Sequence, residues 1–248
     1  MSNLFSFQGR VMIGERSTAG KLIKPEWVGN VPECTLALTT ENSKKTESFS
    51  GNRLDYGLLK KATSAELSLT FDEWLANAMA LALYSEKINT AGSTVTGEAL
   101  PDGVTEGDLV KLTHPFISAL TIMDSTGTPV AVPFTIDSPN AGLIKIGDLA
   151  GKTAPYNCAY TYASADSFAM FAKTPTEKYV LLDGINTEDN SPVLVHMYRV
   201  KFDPVSNFGL IHEDYGNLPM KASLLYDPIN AANTNFGGFA RIERKSAV

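Results

Sequence analysis

The sequence contains few of the residues that usually build catalytic and metal sites. Among its 248 residues there are two cysteines and three histidines. The histidines His114, His196 and His212 lie far apart, and no two of them have the short spacing of a metal-binding pair. Cys34 and Cys158 suit small buried positions better than a disulfide or a metal site. We therefore expect no cofactor, no metal and no enzymatic activity.

The sequence also lacks a basic surplus and a long apolar run. It has 21 basic and 27 acidic side chains, a formal net charge of -6, whereas proteins that hold nucleic acid tightly use cations to neutralise phosphates. No run approaches the ~18 apolar residues that a membrane-spanning helix needs, and no early apolar stretch has the features of a signal peptide. We expect a protein that is made in the cytoplasm and does not enter a membrane.

One segment resembles a phosphate-binding loop without meeting its requirements. Residues 147–153 read Gly-Asp-Leu-Ala-Gly-Lys-Thr, whereas the motif needs four residues between its two glycines. A helix should follow so that its N-terminus meets the phosphate, but Pro155 leads into a strand-like stretch instead. The segment is interpreted as a glycine turn between strands.

What the sequence has in abundance is short alternating segments separated by turn residues. Such a pattern, with a single convincing helix, predicts a mainly β fold of the sandwich or barrel-like kind. No linker divides the chain, so we expect a single domain over residues 1–248 with an irregular N-terminal segment at 1–33 and a loop at 89–108. Later strands are predicted at 109–112, 117–123, 130–136, 143–146, 158–162, 167–173, 177–184, 192–202, 208–212, 220–226 and 236–243.

The stretch from Glu33 to Leu83 is the most informative part of the sequence. Residues 33–40 and 65–71 alternate between apolar and polar, which is typical of half-buried strands. A helix is predicted over 72–84, with Asp72 as its N-cap. Between the strands lies a polar loop at about 40–63, which is too long for a compact domain to keep without a use. Contact with another molecule would be such a use.

The late segment 192–202 also alternates, and its two faces differ. One face is Leu194, His196, Tyr198, Val200 and Phe202, and the other is Val193, Val195, Met197, Arg199 and Lys201. The face that ends in two cations is expected to be solvated at that end or to lie at an interface.

The chain resembles the tail tube (major tail) protein family of long-tailed bacteriophages. The resemblance lies in the order of four segments rather than in any single motif. These are 5–16 with the opening strand, 29–51 with the first strand of the pair and its polar loop, 65–84 with the second strand and the helix, and 195–227 with the late strands and turns.

The resemblance implies a structural virion protein of mainly β fold with one flanking helix, found in the tail after assembly in the host cytoplasm. Subunits of this family form hexameric rings whose strands join an inner barrel, and the rings stack into a hollow tube. Double-stranded DNA passes through the tube without specific binding, and an acidic bias of the lumen would let it slide. Further partners implied are the tape-measure, tail terminator and tail-tip proteins.

Two groups of site residues follow from the resemblance. The loop at 40–63 would be an arm that reaches the next ring, and its contact residues would be Lys44, Lys45, Glu47, Phe49, Arg53 and Tyr56. The polar faces of the paired strands would line the lumen through Thr35, Thr39, Glu66, Ser68 and Thr70.

Three other interpretations stay open. The protein could be the inner tube of a contractile tail or of a secretion device, which a sheath partner would distinguish. It could be a soluble β-rich carbohydrate-binding module, which predicts a monomer with an aromatic cleft. It could also be an enzyme whose site is assembled from distant residues, which predicts convergent titratable groups in a pocket.

Overall fold

The computed structural model describes residues 4–245, and the ends of the predicted domain, residues 1–3 and 246–248, lie outside the described residues. The described chain forms sixteen strands and two short helices, which confirms the predicted mainly β fold class. The strands are β1 (Phe7–Arg16), β2 (Leu22–Trp27), β3 (Glu33–Thr46), β4 (Asp55–Phe71), β5 (Lys87–Thr90), β6 (Ser93–Ala99), β7 (Leu109–Lys111), β8 (Ile117–Met123), β9 (Phe134–Ser138), β10 (Leu143–Ile146), β11 (Asn157–Tyr162), β12 (Ala165–Phe168), β13 (Lys178–Asn186), β14 (Ser191–Phe202), β15 (Leu218–Leu224) and β16 (Ala240–Arg244). The helices are α1 (Ala76–Ala82) and α2 (Pro228–Ala231).

The described residues group into two compact units. The main unit contains residues 4–86 and 168–245, and the inserted unit contains Lys87–Ser167. The sequence predicts a single domain because neither boundary carries a linker rich in proline, glycine or serine. The short strands β5 and β12, which pair with each other, mark where the chain enters and leaves the inserted unit.

The main unit is built on one large antiparallel sheet. Its strand order is β2-β1-β13-β14-β15-β4-β3, and β16 pairs with the first half of β14. One face of this sheet packs against α1, whose Ala78, Met79 and Ala82 are buried in the same core. From the strands this core takes chiefly Val11, Ile13, Ala65, Leu67, Leu69, Phe71, Val180, Val193, Val195, Met197, Val200, Phe202, Leu218, Met220, Ala222 and Leu224.

A β-bulge in β14 makes the predicted division of its two faces wrong. Val180 pairs with Met197 whereas Lys178 pairs with Val200, so β14 has one extra residue between these pairs. A bulge of this kind shifts the alternation by one position. As a result Met197 and Val200 both lie in the core, and the cations Arg199 and Lys201 lie on the opposite face.

The predicted helix begins later than its sequence pattern suggested. Residues 72–75 are not helical, and α1 has Leu75 as an N-cap without a side-chain hydrogen bond. Instead, the carboxylate of Asp72 accepts a hydrogen bond from the side-chain amide of Asn30 at 3.0 Å. The carboxylate of Glu73 accepts one from the backbone N–H of Asn30 at 2.9 Å. Because both acids are engaged by the preceding loop, Asp72 does not cap the helix.

Segments that were predicted to be irregular form strands. The N-terminal segment contains β1, which agrees with the opening strand predicted there, and also β2, and the predicted loop at 89–108 contains part of β5 and all of β6. β6 has few apolar residues and is held by pairing with β11, so its pattern carried little signal. The converse also occurs, because most of 167–173 and all of 208–212 lie outside the strands.

The inserted unit has a core of its own. Two three-stranded sheets, β7-β10-β9 and β6-β11-β8, contribute to it. Buried side chains come from both sheets, including Val110 and Ile144 from the first and Ile122 and Tyr160 from the second. The predicted phosphate-like loop at 147–153 is a turn after β10 and is not followed by a helix, which agrees with its interpretation as a glycine turn.

A buried ion pair ties the C-terminal part of the main unit to β1. The guanidinium of Arg16 donates to both carboxylate oxygens of Asp227, at 2.7 and 3.1 Å, and Asp227 is fully buried. Burial alone would raise the pKa of Asp227, but the hydrogen bonds from Arg16, Asn230 and the Ile229 N–H hold it below its ordinary value. Asp227 therefore stabilises the fold above its ordinary pKa of about 3.9 and loses this contribution as the pH falls.

Replacing Leu67 with alanine should lower the free energy of unfolding by about 2–5 kcal/mol, because it leaves a cavity in the core. The Leu67 side chain is 1% exposed. Leu38→Ala on neighbouring β3 is the matched control, since Leu38 is 73% exposed and its loss should cost under about 0.5 kcal/mol. Denaturant titration of both variants measures the difference, and equal midpoints would contradict the assignment of the core face.

Candidate functional site

The predicted loop at 40–63 is a two-stranded β-ribbon, so its assignment as a loop is wrong. β3 and β4 pair from Glu33 opposite Thr70 to Thr46 opposite Asp55, with register shifts after Glu41 and after Lys45, and only residues 47–54 form the turn. Polar and cationic residues on both strands hid this pairing, because no alternation of apolar residues marks it. We call residues 40–63 the arm.

The arm is exposed on both of its faces. Every arm residue is exposed except Ser43, which is half-buried, and Glu47, which is buried. A two-stranded hairpin that packs on nothing is at best marginally stable in water. The arm nevertheless carries exposed apolar side chains, with Phe49 81% exposed, and the others are Leu54, Tyr56, Leu58 and Leu59. A surface of this kind is typical of a segment that is covered by a partner.

Glu47 organises the turn of the arm. Its carboxylate accepts from the Phe49 N–H at 3.0 Å and from the Ser50 N–H at 2.9 Å, and the Ser50 hydroxyl also donates to it. The Glu47 N–H donates to the Leu54 carbonyl at 2.9 Å. The Ser50 hydroxyl, followed by the Ser50 N–H, lowers the pKa of Glu47. Glu47 was predicted as a contact residue, but it lies inside the turn.

The remaining predicted contact residues lie together at the distal end of the arm. Lys44 pairs with Asp55 across the ribbon at 3.0 Å. Phe49 and Tyr56 meet edge to face with their ring centroids 6.1 Å apart. Lys45 and Arg53 are exposed and have no ion-pair partner within residues 4–245. The distal end thus presents two aromatic rings surrounded by cations.

The residues predicted to line a lumen share one face of the main sheet. Thr35 lies opposite Ser68, Ala37 opposite Glu66, and the same rows continue into β15 with Lys221 and Ser223. Thr35, Thr39 and Glu66 are exposed, and Ser68 and Thr70 are half-buried. The predicted residues therefore form one polar surface on the side of β4 away from the core.

This polar face does not have the acidic bias that was expected of a lumen. In the part of this face that lies next to β15, the carboxylates of β3 and β4 are Glu33 and Glu66, and the cations of the neighbouring strands are Lys221 in β15 and Lys201 in β14. The expectation came from the family resemblance and from the repulsion between carboxylates and phosphates. Strand pairing brings lysines from distant positions onto the same face, and the rows become formally neutral.

The sequence analysis missed a groove at the base of the same hairpin. It has a volume of about 480 Å³ and is lined by Phe71, Asp72, Glu73, Trp74, Met79, Phe208, Gly209, Leu210, His212, Gly216, Asn217 and Leu218. The rings of Trp74 and Phe208 lie 6.2 Å apart. His212 accounts for the shape of the loop at 208–217, because its Nε2 lies 2.9 Å from the Gly209 carbonyl oxygen.

The loop beside the groove exposes apolar side chains. Ile211 is 95% exposed and Tyr215 is 99% exposed, and Leu210 and Trp74 are also largely exposed. The sequence predicted a strand over 208–212, which would have buried alternate residues. The glycines at 209 and 216, on either side of His212, were the sequence signal for a loop here. A Cβ at Gly209 would lie 2.4 Å from the His212 ring, so the loop needs glycine at this position.

The arrangement closest to a catalytic site is a hydrogen-bonded chain around His196. Its Nε2 lies 3.0 Å from a Glu243 carboxylate oxygen, and its Nδ1 lies 3.0 Å from the Tyr179 hydroxyl. Burial raises the pKa of Tyr179 to about 12, so the hydroxyl stays protonated and is a poor nucleophile. Within residues 4–245 no serine, threonine or cysteine side chain is hydrogen-bonded to His196. These hydrogen bonds link β13, β14 and β16, which suits a structural role.

Within residues 4–245, no group of three or more histidine, cysteine, aspartate or glutamate side chains could hold a metal ion. Neither α1 nor α2 is long and apolar enough to cross a membrane.

Comparison with known proteins places the chain in a family. Residues 4–243 match the family described as "Protein of unknown function UCP028589". The chain belongs to this family. The matched range spans both compact units. No curated protein matches the chain.

Replacing Glu47 with alanine should loosen the turn of the arm while the main unit stays folded. The Phe49 and Ser50 amides lose their acceptor, so their hydrogen exchange should become several-fold faster. The pKa of Glu47 is lowered in the folded protein, so its carboxylate should hold the turn above the ordinary glutamate pKa of about 4.3. As the pH falls below this value, protonation of Glu47 should loosen the turn of the unmodified protein, as the substitution does. Exchange measured by NMR tests both statements.

Glu41→Ala is the matched control, since Glu41 is an exposed glutamate of the same arm and its side chain makes no hydrogen bond in the described structure. Unchanged exchange in Glu47→Ala, or equal changes in both variants, would show that Glu47 does not organise the turn.

Proposed function

We propose that the protein is a structural subunit that assembles with copies of itself into hexameric rings, and that these rings stack into the hollow tail tube of a long-tailed bacteriophage. The sixfold ring, the tube and the passage of DNA come from the sequence resemblance. The observation that carries the proposal is the arm, a two-stranded ribbon that is exposed on both faces and carries exposed apolar residues.

An open sheet edge supports the same proposal. β3 is the last strand of the main sheet, and no strand of the described chain pairs with its outer edge along its fourteen residues. Proteins that stay monomeric usually protect such an edge with proline, bulges or covering segments. β2 at the other edge has Pro25 within the strand. β3 contains no proline, and the two register shifts in its pairing with β4 lie in the arm, so that residues 33–40 form a regular edge. Pairing with a neighbouring copy would extend the sheet and remove the edge, as in a closed barrel.

The charge distribution also fits an assembly with itself. The arm has five cations and three carboxylates, a formal charge of +2, in a chain whose net charge is -6. The rest of the chain therefore carries -8, so that an arm is attracted to the body of another copy.

Electron microscopy of the purified protein at high concentration, together with its mass in solution, tests the proposal. We expect rings or hollow tubes with sixfold symmetry. A protein that stays monomeric even after tail-tip complexes are added would contradict the proposal. Co-assembly with a sheath protein would identify the tube of a contractile device.

A shortened arm gives a sharper test. Replacing residues 42–61 with Asn-Gly should close the hairpin in a tight turn after the pair Glu41 and Ala62. The removed residues bury almost nothing, so the melting temperature should change by no more than a few degrees. We expect this variant to lose stacking completely, and long tubes formed by it would refute the role of the arm.

A further inference from the structure

The distal end of the arm and the groove lie at opposite ends of the same strand. β4 starts at Asp55, where the turn of the arm ends, and finishes at Phe71, which lines the groove. A strand of this length spans about 50 Å at about 3.3 Å per residue. Because the strand is extended throughout, the distal end of an arm cannot reach the groove of its own copy.

The two surfaces are complementary in charge. The distal end has Lys45 and Arg53 without ion-pair partners within residues 4–245, and Lys60 and Lys61 follow along β4. The groove has Asp72 and Glu73 in its wall, and within residues 4–245 both side chains accept hydrogen bonds only from the neutral Asn30. Glu213 and Asp214 are exposed in the adjoining loop, and neither has an ion-pair partner in the described chain.

The two surfaces also match in their apolar character. The arm ends in the edge-to-face pair of Phe49 and Tyr56. The groove offers the rings of Trp74 and Phe208, with Leu210 exposed at its rim. Buried aromatic anchors surrounded by charged residues are the usual composition of a specific protein interface.

We propose that the arm of one copy docks into this groove of a second copy, with Phe49 and Tyr56 against Trp74 and Phe208 and the arm cations facing the groove carboxylates. This inference rests on the proposed function, because it specifies the surface that receives the arm. The contact joins two different surfaces and is therefore head-to-tail, which leaves a free arm at one end and a free groove at the other. Repetition of the contact adds copies along the direction of β4, which would make it the contact between stacked rings.

Charge reversal on each surface tests the docking. Lys45→Glu with Arg53→Glu reverses the arm, and Glu213→Lys with Asp214→Lys reverses the rim of the groove. Each pair should raise the concentration needed for self-association at least about tenfold, as measured by sedimentation velocity. One chain that carries both reversals should recover self-association to near the wild-type concentration, because the attraction is restored with opposite signs.

Asp102→Lys with Glu106→Lys in the inserted unit is the matched control. Both residues are exposed, and their side chains make no hydrogen bond or ion pair in the described structure. This variant should self-associate like the wild type at the same salt concentration. If reversal of the groove has no effect, or if the combined variant is no better than the single reversals, the groove is not the receptor of the arm.

Cross-linking separates the docking from the tube. Ser48→Cys places a thiol at the turn of the arm and Asn217→Cys places one in the groove, whereas the native Cys34 and Cys158 are half-buried and buried. A mixture of the two variants treated with a short thiol cross-linker should give covalent dimers that neither variant gives alone. Cross-linked dimers without rings or tubes would support the docking and contradict the tube. Tubes without cross-linked dimers would contradict the docking and leave the tube in place, and the absence of both would contradict both proposals.

Discussion

The backbone pairing of β3 with β4 is the interaction on which the rest of the structure depends. The inner halves of these strands bury Leu67, Leu69 and Phe71 in the core of the main unit. The outer halves bury almost nothing and are held by the hydrogen-bond ladder, by the cross-strand pair of Lys44 and Asp55, and by the turn around Glu47. Such contacts contribute little each. The core therefore anchors a ribbon that could not be stable alone, and it holds the ribbon in a defined direction.

That direction gives the molecule a polarity. β4 begins in the exposed arm at Asp55. Its second half is buried on one side and carries the polar face on the other, and the strand ends at Phe71 in the groove. A single strand thus aligns a cationic aromatic end with an acidic aromatic groove about 50 Å away. A molecule with two different complementary surfaces at opposite ends adds copies in one direction, which a symmetric contact between identical surfaces cannot do. This polarity is the physical basis of the proposed stack.

In the proposed assembly, the open edge of β3 would provide a second direction of association. Backbone N–H and C=O groups along this edge can pair with a strand of a neighbouring copy without any particular side chain. Pairing of this kind is directed across the strands, whereas docking of the arm is directed along them. A protein that uses both contacts would form a closed sheet within each ring and would use the arm to join one ring to the next. Edge pairing of β3 relies on backbone hydrogen bonds, whereas docking of the arm relies on charge complementarity. Salt would weaken the docking more than the edge pairing, because exposed charges are screened.

The strands with regular alternation were predictable from the sequence, among them β8 and β10, whose bounds match the prediction, and the inner half of β4. Burial of every second side chain leaves a period of two in the sequence, and this signal is local. The mainly β class followed for the same reason, as did the interpretation of residues 147–153 as a turn.

Other features depended on pairing between distant parts of the chain. The extra residue in β14 brings Met197 and Val200 onto the same face, and this depends on the register with β13. The arm is a ribbon because Lys44 and Leu58 pair across it, although neither is buried. The groove arises because the loop at 208–217 lies beside the end of β4. The sequence alone determined which residues prefer strands and which charges they carry, whereas the tertiary structure decided which of them meet, because hydrogen-bond register and long-range packing leave no periodic trace in a single chain.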